Sequence, residues 1–423
     1  MSGSLSDASG PLASLPRYQS ANEPGRSADS VWQLIVQGAG LDPRSVSSFL
    51  RHTLVPTESL FRGVLRMPVP LPHVQRGQAS PGDDQRLAEA LLATWSDTVL
   101  EQISAGARDV SLSGGLDSAA LCAMAAQHAP GQVRAWTMAV HFADATEQRN
   151  AARMARTAGV ALVEVSIPDT VLPDLLEPAV VANETAILNA RAVASFAFYA
   201  EARRLGALVL MSGAGADEVL MGNPEALAGA RARIAEDRAL AEQVLRDSGP
   251  SEPGDSWDGK EILYASWVLR EMILPPELRG ARAHGVTVRT PYLAPHFAEF
   301  ALSLPAELLA REGTGKWLFR HALRPLVPRE IRFAPKTPRY AHTALSSPVR
   351  ERWLELYRAW LSPARLEPLE VIDPSSTLAL LERYTRLSPE DPRTSAMDRL
   401  LMRLVSFAML HAHAEALAPC PES

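Results

Sequence analysis

The sequence predicts an α/β protein, a parallel helix-covered sheet followed by a mostly helical C-terminal half. Three observations carry that prediction. Between Asp84 and Gly222 short apolar runs alternate with segments of helical periodicity. The runs are apolar on both faces, as strands covered by helix layers must be. Beyond Glu225 strand-like runs fade, and Arg, Ala, Leu and Glu at helical spacing dominate.

Taken in order, residues 1–30 are rich in Ser, Gly, Pro and Ala with few large apolar groups. Such a stretch buries too little to offset its ordering entropy, so it reads as a flexible tail. Apolar residues return over 31–80, where Asp42-Pro43 followed by Val46, Phe49 and Leu50 predicts a short capped helix. A Pro-rich stretch and the polar run QASPGDD then lead into the main domain, 81–423. There the patterns predict a helix over 87–103, a strand over 109–112, a helix over 118–128 and a strand over 133–140. A helix over 146–159, a strand over 161–167, a helix over 190–205 and a strand over 207–211 follow. This alternation implies parallel βαβ units and divides the domain into an α/β part, about 81–225, and a helical part, about 226–423.

Composition narrows the function classes. Charged residues make up 21% and hydrophobic residues 47% of the 423, which is globular usage. A net charge of −6 supplies no general attraction to nucleic acid or to an anionic membrane. Two cysteines, Cys122 and Cys420, without a CxxC pair exclude a disulfide framework or a cysteine-rich metal site. No apolar run reaches the roughly 20 residues of a membrane helix, and the N-terminus has no signal-peptide pattern. The expectation is a cytoplasmic protein.

The strongest motif is Ser113-Gly114-Gly115-Leu116-Asp117-Ser118, between a predicted strand and a predicted helix. Paired glycines let the backbone turn sharply and bring N–H groups to an anion, while the following helix aims its positive end at the same point. Asp117 is out of place in a phosphate cradle unless it holds a divalent cation that bridges to the phosphates. Ser212-Gly213-Ala214-Gly215-Ala216-Asp217-Glu218 again follows an apolar strand. Two such strand ends in one parallel sheet open at its carboxyl edge, where these sheets bind ligands, and Asp217 is then a second cation ligand. Taken singly, each motif is also compatible with a plain Gly-rich turn.

Together these segments resemble the ATP-pyrophosphatase domain of the asparagine synthetase and β-lactam synthetase family. SLSGGLDSA is similar to its pyrophosphate loop and SGAGADEVLMG to its SGxGADExxxG segment. Asn183-Glu184, Leu188-Asn189-Ala190, Arg289-Thr290-Pro291-Tyr292-Leu293, Gly315-Lys316-Trp317-Leu318-Phe319-Arg320 and Arg332-Phe333-Ala334-Pro335-Lys336 continue the match in the family's order. The resemblance implies a sheet of the adenine-nucleotide α-hydrolase-like type and a reaction in which a carboxylate attacks the α-phosphorus of ATP. Pyrophosphate leaves, and an amine then displaces AMP. It places Ser113, Gly114, Gly115, Asp117 and Ser118 on pyrophosphate, and Leu112, Met138, Ser212 and Gly213 around adenosine. Asp117 and Asp217 would hold Mg²⁺, and Lys316 and Lys336 would neutralise phosphate charge.

Departures from the family fall on the acceptor side. The sequence opens Met1-Ser2, without the family's catalytic cysteine and glutaminase domain, and residues 31–80 resemble the connector that normally follows that domain. Glutamine-dependent asparagine synthesis is therefore not expected of this chain alone. Ala214 stands where relatives carry Glu or Tyr, which leaves Glu184 and Glu218 as candidates to take the proton. Ala294 replaces an acid of the R-x-P-F-L-D pattern, and Thr337-Pro338-Arg339-Tyr340 departs from the usual run after the second lysine.

The expected activity is ATP-dependent, AMP-forming amide synthesis in bacterial natural-product or modified-peptide biosynthesis. Small-molecule or peptide carboxylate and amine substrates, a separate amine-donating or glutaminase-like protein and a homodimer are the partners it admits. The alternatives are a catalytically silent partner subunit and, from another class, a tRNA-adenylating enzyme, which the acidic balance disfavours. Gly313–Lys316 is no Walker loop, because the required earlier glycine is Ala310 and Trp317 replaces Ser or Thr. His411, His413, Glu415 and Cys420 read as a helix end rather than a metal cluster. Residues 247–259 read as a loop insertion.

Overall fold

The computed structural model describes residues 15–35, 40–55, 57–67, 75–80, 82–222, 234–246, 267–335 and 342–417. The chain opens with β1 (Tyr18–Ser20) and β2 (Ser27–Ala28), then α1 (Pro43–Leu50) and β3 (Val64–Arg66). Asp42 caps α1 by accepting from the Ser45 N–H at 2.8 Å, with proline at the first helical position. The three strands form an antiparallel sheet in the order β2-β1-β3.

This corrects the reading of the first 30 residues as a tail. From Leu15 onward the segment is built into the fold, with Tyr18 3% and Val31 0% exposed. Some of its anchors have partners far along the chain. The Arg279 guanidinium donates to the Tyr18 hydroxyl at 3.2 Å and to the Asp29 carbonyl at 3.1 Å.

The main domain runs α2 (Asp83–Ser104), β4 (Asp109–Ser111), α3 (Leu116–His128), β5 (Arg134–Ala139), α4 (Ala145–Ala158) and β6 (Ala161–Ser166). It continues with α5 (Leu172–Asn183), α6 (Ala190–Arg204), β7 (Val209–Met211), the short α7 (Ala216–Val219) and β8 (Thr287–Arg289). Local chemistry sets the ends. Asp144 caps α4 through the N–H groups of Thr146 and Glu147, and Gly159 closes it at φ 65°. Asn189 caps α6 through the Arg191 N–H.

The five main strands pair in the order β6-β5-β4-β7-β8, and every pairing is parallel. The chain winds outward from β4 to β6 and then returns to lay β7 on the other side of β4. The crevice for a ligand in such a sheet lies at this reversal, beyond the carboxyl ends of β4 and β7. Val110 pairs with Met211, so the Gly-rich turns that follow are neighbours.

One hydrophobic cluster joins α2, α3 and α4 to the segments around Tyr292, Phe297 and Phe319, where Trp95 stacks on Tyr292 at 4.1 Å. Another joins α5, α6 and the N-terminal sheet to the buried helix Thr394–Ala416. Among the elements not read from the sequence are β8 and α5. β8 has three residues, too few to show a period, and α5 is masked by two prolines, one at its start and Pro178 inside.

Candidate active site

The turn after β4 needs a glycine at 114. Gly114 lies at φ +86°, and a Cβ there would sit 1.9 Å from the Glu147 carbonyl oxygen. Only glycine lets α4 approach this loop so closely. The Ser118 hydroxyl accepts from the Ser113 N–H at 3.1 Å and donates to the Gly115 carbonyl, folding the loop over the start of α3. After β7, Gly215 is at φ +89° against the Leu293 side chain. A Cβ on Gly213 would come within 3.3 Å of the Asp117 Cβ, so the two turns pack on each other.

Their carboxylates converge on one cation. Lys316 Nζ donates to both oxygens of Asp117 at 2.6 and 2.5 Å and lies 2.6 Å from Asp217 Oδ1. Lys316 is 3% exposed and held in the left-handed region at φ 57°, which aims its side chain inward from the start of the helix Trp317–Ala322. Burial works against its charge, but the carboxylates of Asp117 and Asp217 outweigh burial and hold its pKa above the ordinary lysine value. Gly222 makes room, since a Cβ there would be 1.9 Å from Asp217 Oδ1 and 2.3 Å from Lys316 Cε. The Tyr292 hydroxyl donates to the Asp117 carbonyl at 2.9 Å and so ties the RTPYL segment to the same point.

These groups line a cavity of about 260 Å³ at the carboxyl edge of the sheet. Leu112, Ser113, Gly114, Gly115, Asp117, Ser118, Met138, Ser212, Gly213, Asp217, Glu218 and Lys316 all border it. Lys336 lies outside the described residues; its neighbour Pro335 is on the cavity wall. Glu184 is the exception and requires a correction. Its carboxylate accepts from the Ser30 hydroxyl and the Val31 N–H at 3.1 Å, and it is ion-paired with Arg279 at 2.5 Å. At 5% exposure and off the cavity wall, it is a buried anchor for the N-terminal segment and cannot receive a proton from an acceptor there.

The structure supplies a carboxylate that motif reading missed. Glu277, in the π-helical segment Pro275–Arg279, borders the cavity. Its Oε2 accepts from the Tyr199 hydroxyl at 2.6 Å and from the Ser212 hydroxyl at 3.0 Å. Burial, then the neighbouring Glu277 charge, pushes the Tyr199 phenol well above its ordinary range, so it stays a donor. Arg191, Ser195 and Arg320 also face the cavity, whereas Ala214 contributes no titratable group. Glu277, Tyr199, Arg191 and Ser195 carry no spacing signal; only the folded chain brings them together.

The remaining constellations resolve as packing where they are described. Cys122 is fully buried, with its thiol pushed up to about 12 by burial, and is no nucleophile. His411 pairs with Glu415 and accepts from the Leu41 N–H, while the His413 ring meets Trp32. Cys420 and residues 247–259 fall outside the described residues. Among the described residues no helix is long and apolar enough to cross a membrane.

Fold and cavity define an α/β protein with a cavity between two Gly-rich turns at the carboxyl edge of a parallel sheet. Residues 109–412 match the asparagine synthase family, and the chain belongs to it. It is also similar to the asparagine synthetase (glutamine-hydrolyzing) of Gallus gallus, at 33% identity over 100 residues. That stretch covers 22% of this chain and 17% of the chicken protein.

Proposed function

We propose that the protein is an ATP-dependent, AMP-forming amide synthetase acting in natural-product or modified-peptide biosynthesis. The observation that carries the reading is the meeting of Asp117 and Asp217 on one buried ammonium, beside a cradle of backbone N–H groups and serine hydroxyls. Hard oxygen ligands held by two close carboxylates suit Mg²⁺. The space between them already accommodates positive charge, so Asp117 and Asp217 are the residues that would hold the ion. When bound, it supplies charge neutralisation on the phosphates of the nucleotide.

The reaction runs in two displacements. A substrate carboxylate oxygen attacks the α-phosphorus of ATP, and the bond from that phosphorus to the bridging oxygen breaks as pyrophosphate departs. An amine nitrogen then attacks the acyl carbon, the acyl–phosphate ester bond breaks, and AMP leaves. Leu112, Met138, Ser212 and Gly213 frame the adenosine side; Ser113, Gly114, Gly115 and Ser118 face the pyrophosphate. Lys316 offsets phosphate charge from its buried position, and Lys336 is assigned the second such charge. Work of this kind is mainly positioning and electrostatics.

The amine must lose a proton, and Ala214 cannot take it. Glu277 takes that part in this reading, and Glu218 is another carboxylate on the wall. Tyr199 and Ser212 hold one Glu277 oxygen in place. Ala214 on the cavity wall supports a substrate pair different from that of the family's asparagine-forming members, whereas Ala294 is buried off the wall.

The test is exchange of labelled pyrophosphate into ATP across a panel of amino acids and peptides, together with direct ATP binding. Carboxylate-dependent exchange is expected, and loss of it in Asp117→Ala and Asp217→Ala. Lys336→Ala should keep ATP affinity and lose about 10²–10³ in rate. A chain that binds no ATP in the presence of Mg²⁺ is not this enzyme; one that binds ATP but forms no amide with any separate glutaminase-like subunit is a silent partner.

A further inference from the structure

A second polar cluster lies next to the cavity but does not line it. His141 follows the end of β5, Asp169 begins the turn Asp169–Val171 after β6, and His342 comes from the second half of the chain. Each offers one ligand atom, and these atoms all lie within 4.8 Å of one another. Among the described residues no other group of three His, Cys, Asp or Glu side chains meets in this way.

The individual contacts prepare the group for a metal. His141 Nδ1 lies in contact with Asp169 Oδ1. His342 Nδ1 shares a hydrogen bond with the Ser346 hydroxyl at 3.2 Å, which orients the ring. Its other nitrogen, Nε2, is buried without a hydrogen-bond partner. A buried orphan nitrogen costs free energy that a ligand would relieve. Phe142 stacks on the His342 ring at 4.3 Å with planes 15° apart, and the His141 ring meets it edge-on at 4.5 Å. His141 is 28% exposed at the rim, which gives an ion a way in.

We propose that His141, Asp169 and His342 bind a divalent transition metal of the zinc class. Two imidazole nitrogens and one carboxylate oxygen form a donor set that zinc accepts, and a site with three protein ligands leaves its fourth position to water. Ligand atoms around a tetrahedral ion with bonds of about 2.0–2.1 Å sit roughly 3.4 Å apart. The Ser346 contact takes the place of a metal-bound histidine's outer partner: it occupies Nδ1 and leaves Nε2 for the ion.

The consequence is a tie between distant stretches of chain. Val140, Ala143 and Asp144 flank His141 and line the nucleotide cavity, while His342 stands six residues after Lys336 in the sequence. A metal here pins the chain leaving the Lys336 segment to the sheet edge where the nucleotide cavity opens. The proposal does not depend on the ligase reading, since the ligands are disjoint from Asp117 and Asp217.

The test uses the full-length protein stripped with chelator and titrated with Zn²⁺ against a chromogenic chelator, with Co²⁺ as an optical probe. One ion per chain is expected, with the intense visible bands of four-coordinate Co²⁺ displaced by Zn²⁺ and a rise in Tm on zinc addition. His141→Gln and His342→Gln should each weaken zinc binding by more than the roughly 10–100-fold that loss of an outer partner costs. Asp117→Asn should leave zinc affinity unchanged. Should His342→Gln fail to fold by circular dichroism, Asp169→Asn and the wild-type Co²⁺ spectrum decide. Absence of a saturable site, or zinc affinity that the histidine and aspartate variants do not move, overturns the proposal, as does its loss in Asp117→Asn alone.

Discussion

Replacing Lys316 with Met removes a buried positive charge while keeping most of the side-chain volume. At an effective dielectric near 20, unit charges 2.6 Å apart attract by about 6 kcal/mol, and Lys316 makes such a pair with each of Asp117 and Asp217. Desolvating the ammonium and carboxylates cancels much of this. What is left exposed by the substitution is the repulsion of two carboxylates with no counter-charge. Breaking a buried ion pair on one side costs about 3–5 kcal/mol, and Lys316→Met should lose that amount in urea denaturation with EDTA present. Mg²⁺ then acts as a substitute cation. At a hundred times its dissociation constant it returns about 2.7 kcal/mol to the variant, and it stabilises the wild type less, because there it must displace the ammonium. The assay is a pair of urea curves for each protein, with EDTA and with Mg²⁺. A variant as stable as wild type in EDTA, with no larger response to Mg²⁺, would show that the two carboxylates do not share one cation position.

Glu277→Gln should lower amide formation by about 10²–10⁴ while pyrophosphate exchange persists, because the loss falls on proton removal from the amine; a parallel fall in both rates contradicts this. Gly114→Ala forces a Cβ to within 1.9 Å of the Glu147 carbonyl oxygen at φ +86°, so a stability loss of at least about 1–2 kcal/mol is expected by urea denaturation, with weaker ATP binding by calorimetry. Asp398 is buried beneath Tyr357, Tyr384 and the Ala344 N–H, and burial pushes its carboxyl up to about 6 from 3.8. The folded chain therefore binds this proton more tightly than the unfolded chain. The resulting stabilisation, on the order of 3 kcal/mol, is full below pH 4 and gone once pH has risen through 6. Subtracting an Asp398→Asn stability profile from that of wild type should isolate this slope between pH 4 and 6, and a flat difference would refute it.

How much of this was legible in the sequence depends on the distance over which each signal acts. The strand–turn–helix around Ser113–Ser118 and the second turn at Ser212–Gly215 are local, and Gly114 and Gly215 fill positions that a Cβ could not share. That both turns face one crevice follows from parallel winding, and the β4–β7 pairing delivers it. Glu277 carried no signal, because it works through hydroxyls of Tyr199 and Ser212 that come from elements well before it. Glu184 sat within a recognisable segment, yet its role was set by Arg279, a partner remote in sequence, and by the Ser30 and Val31 groups. The same remote partners explain why residues 15–30 looked too polar to fold: their burial depends on surfaces contributed by the rest of the chain.

Arg279 gives the N-terminal segment a stake in the chemistry. Its guanidinium is satisfied by Glu184, by the carbonyls of Pro16 and Asp29 and by the Tyr18 hydroxyl, and it sits two residues from Glu277 in the same wide helical turn. Clipping the first thirty residues, by a protease or by a choice of expression boundary, strips away most of those oxygens and exposes the carboxylate–guanidinium pair to water. The turn carrying Glu277 would then be free to rewind, and on the proposed reading a trimmed chain would keep ATP binding while losing the carboxylate that takes the amine's proton.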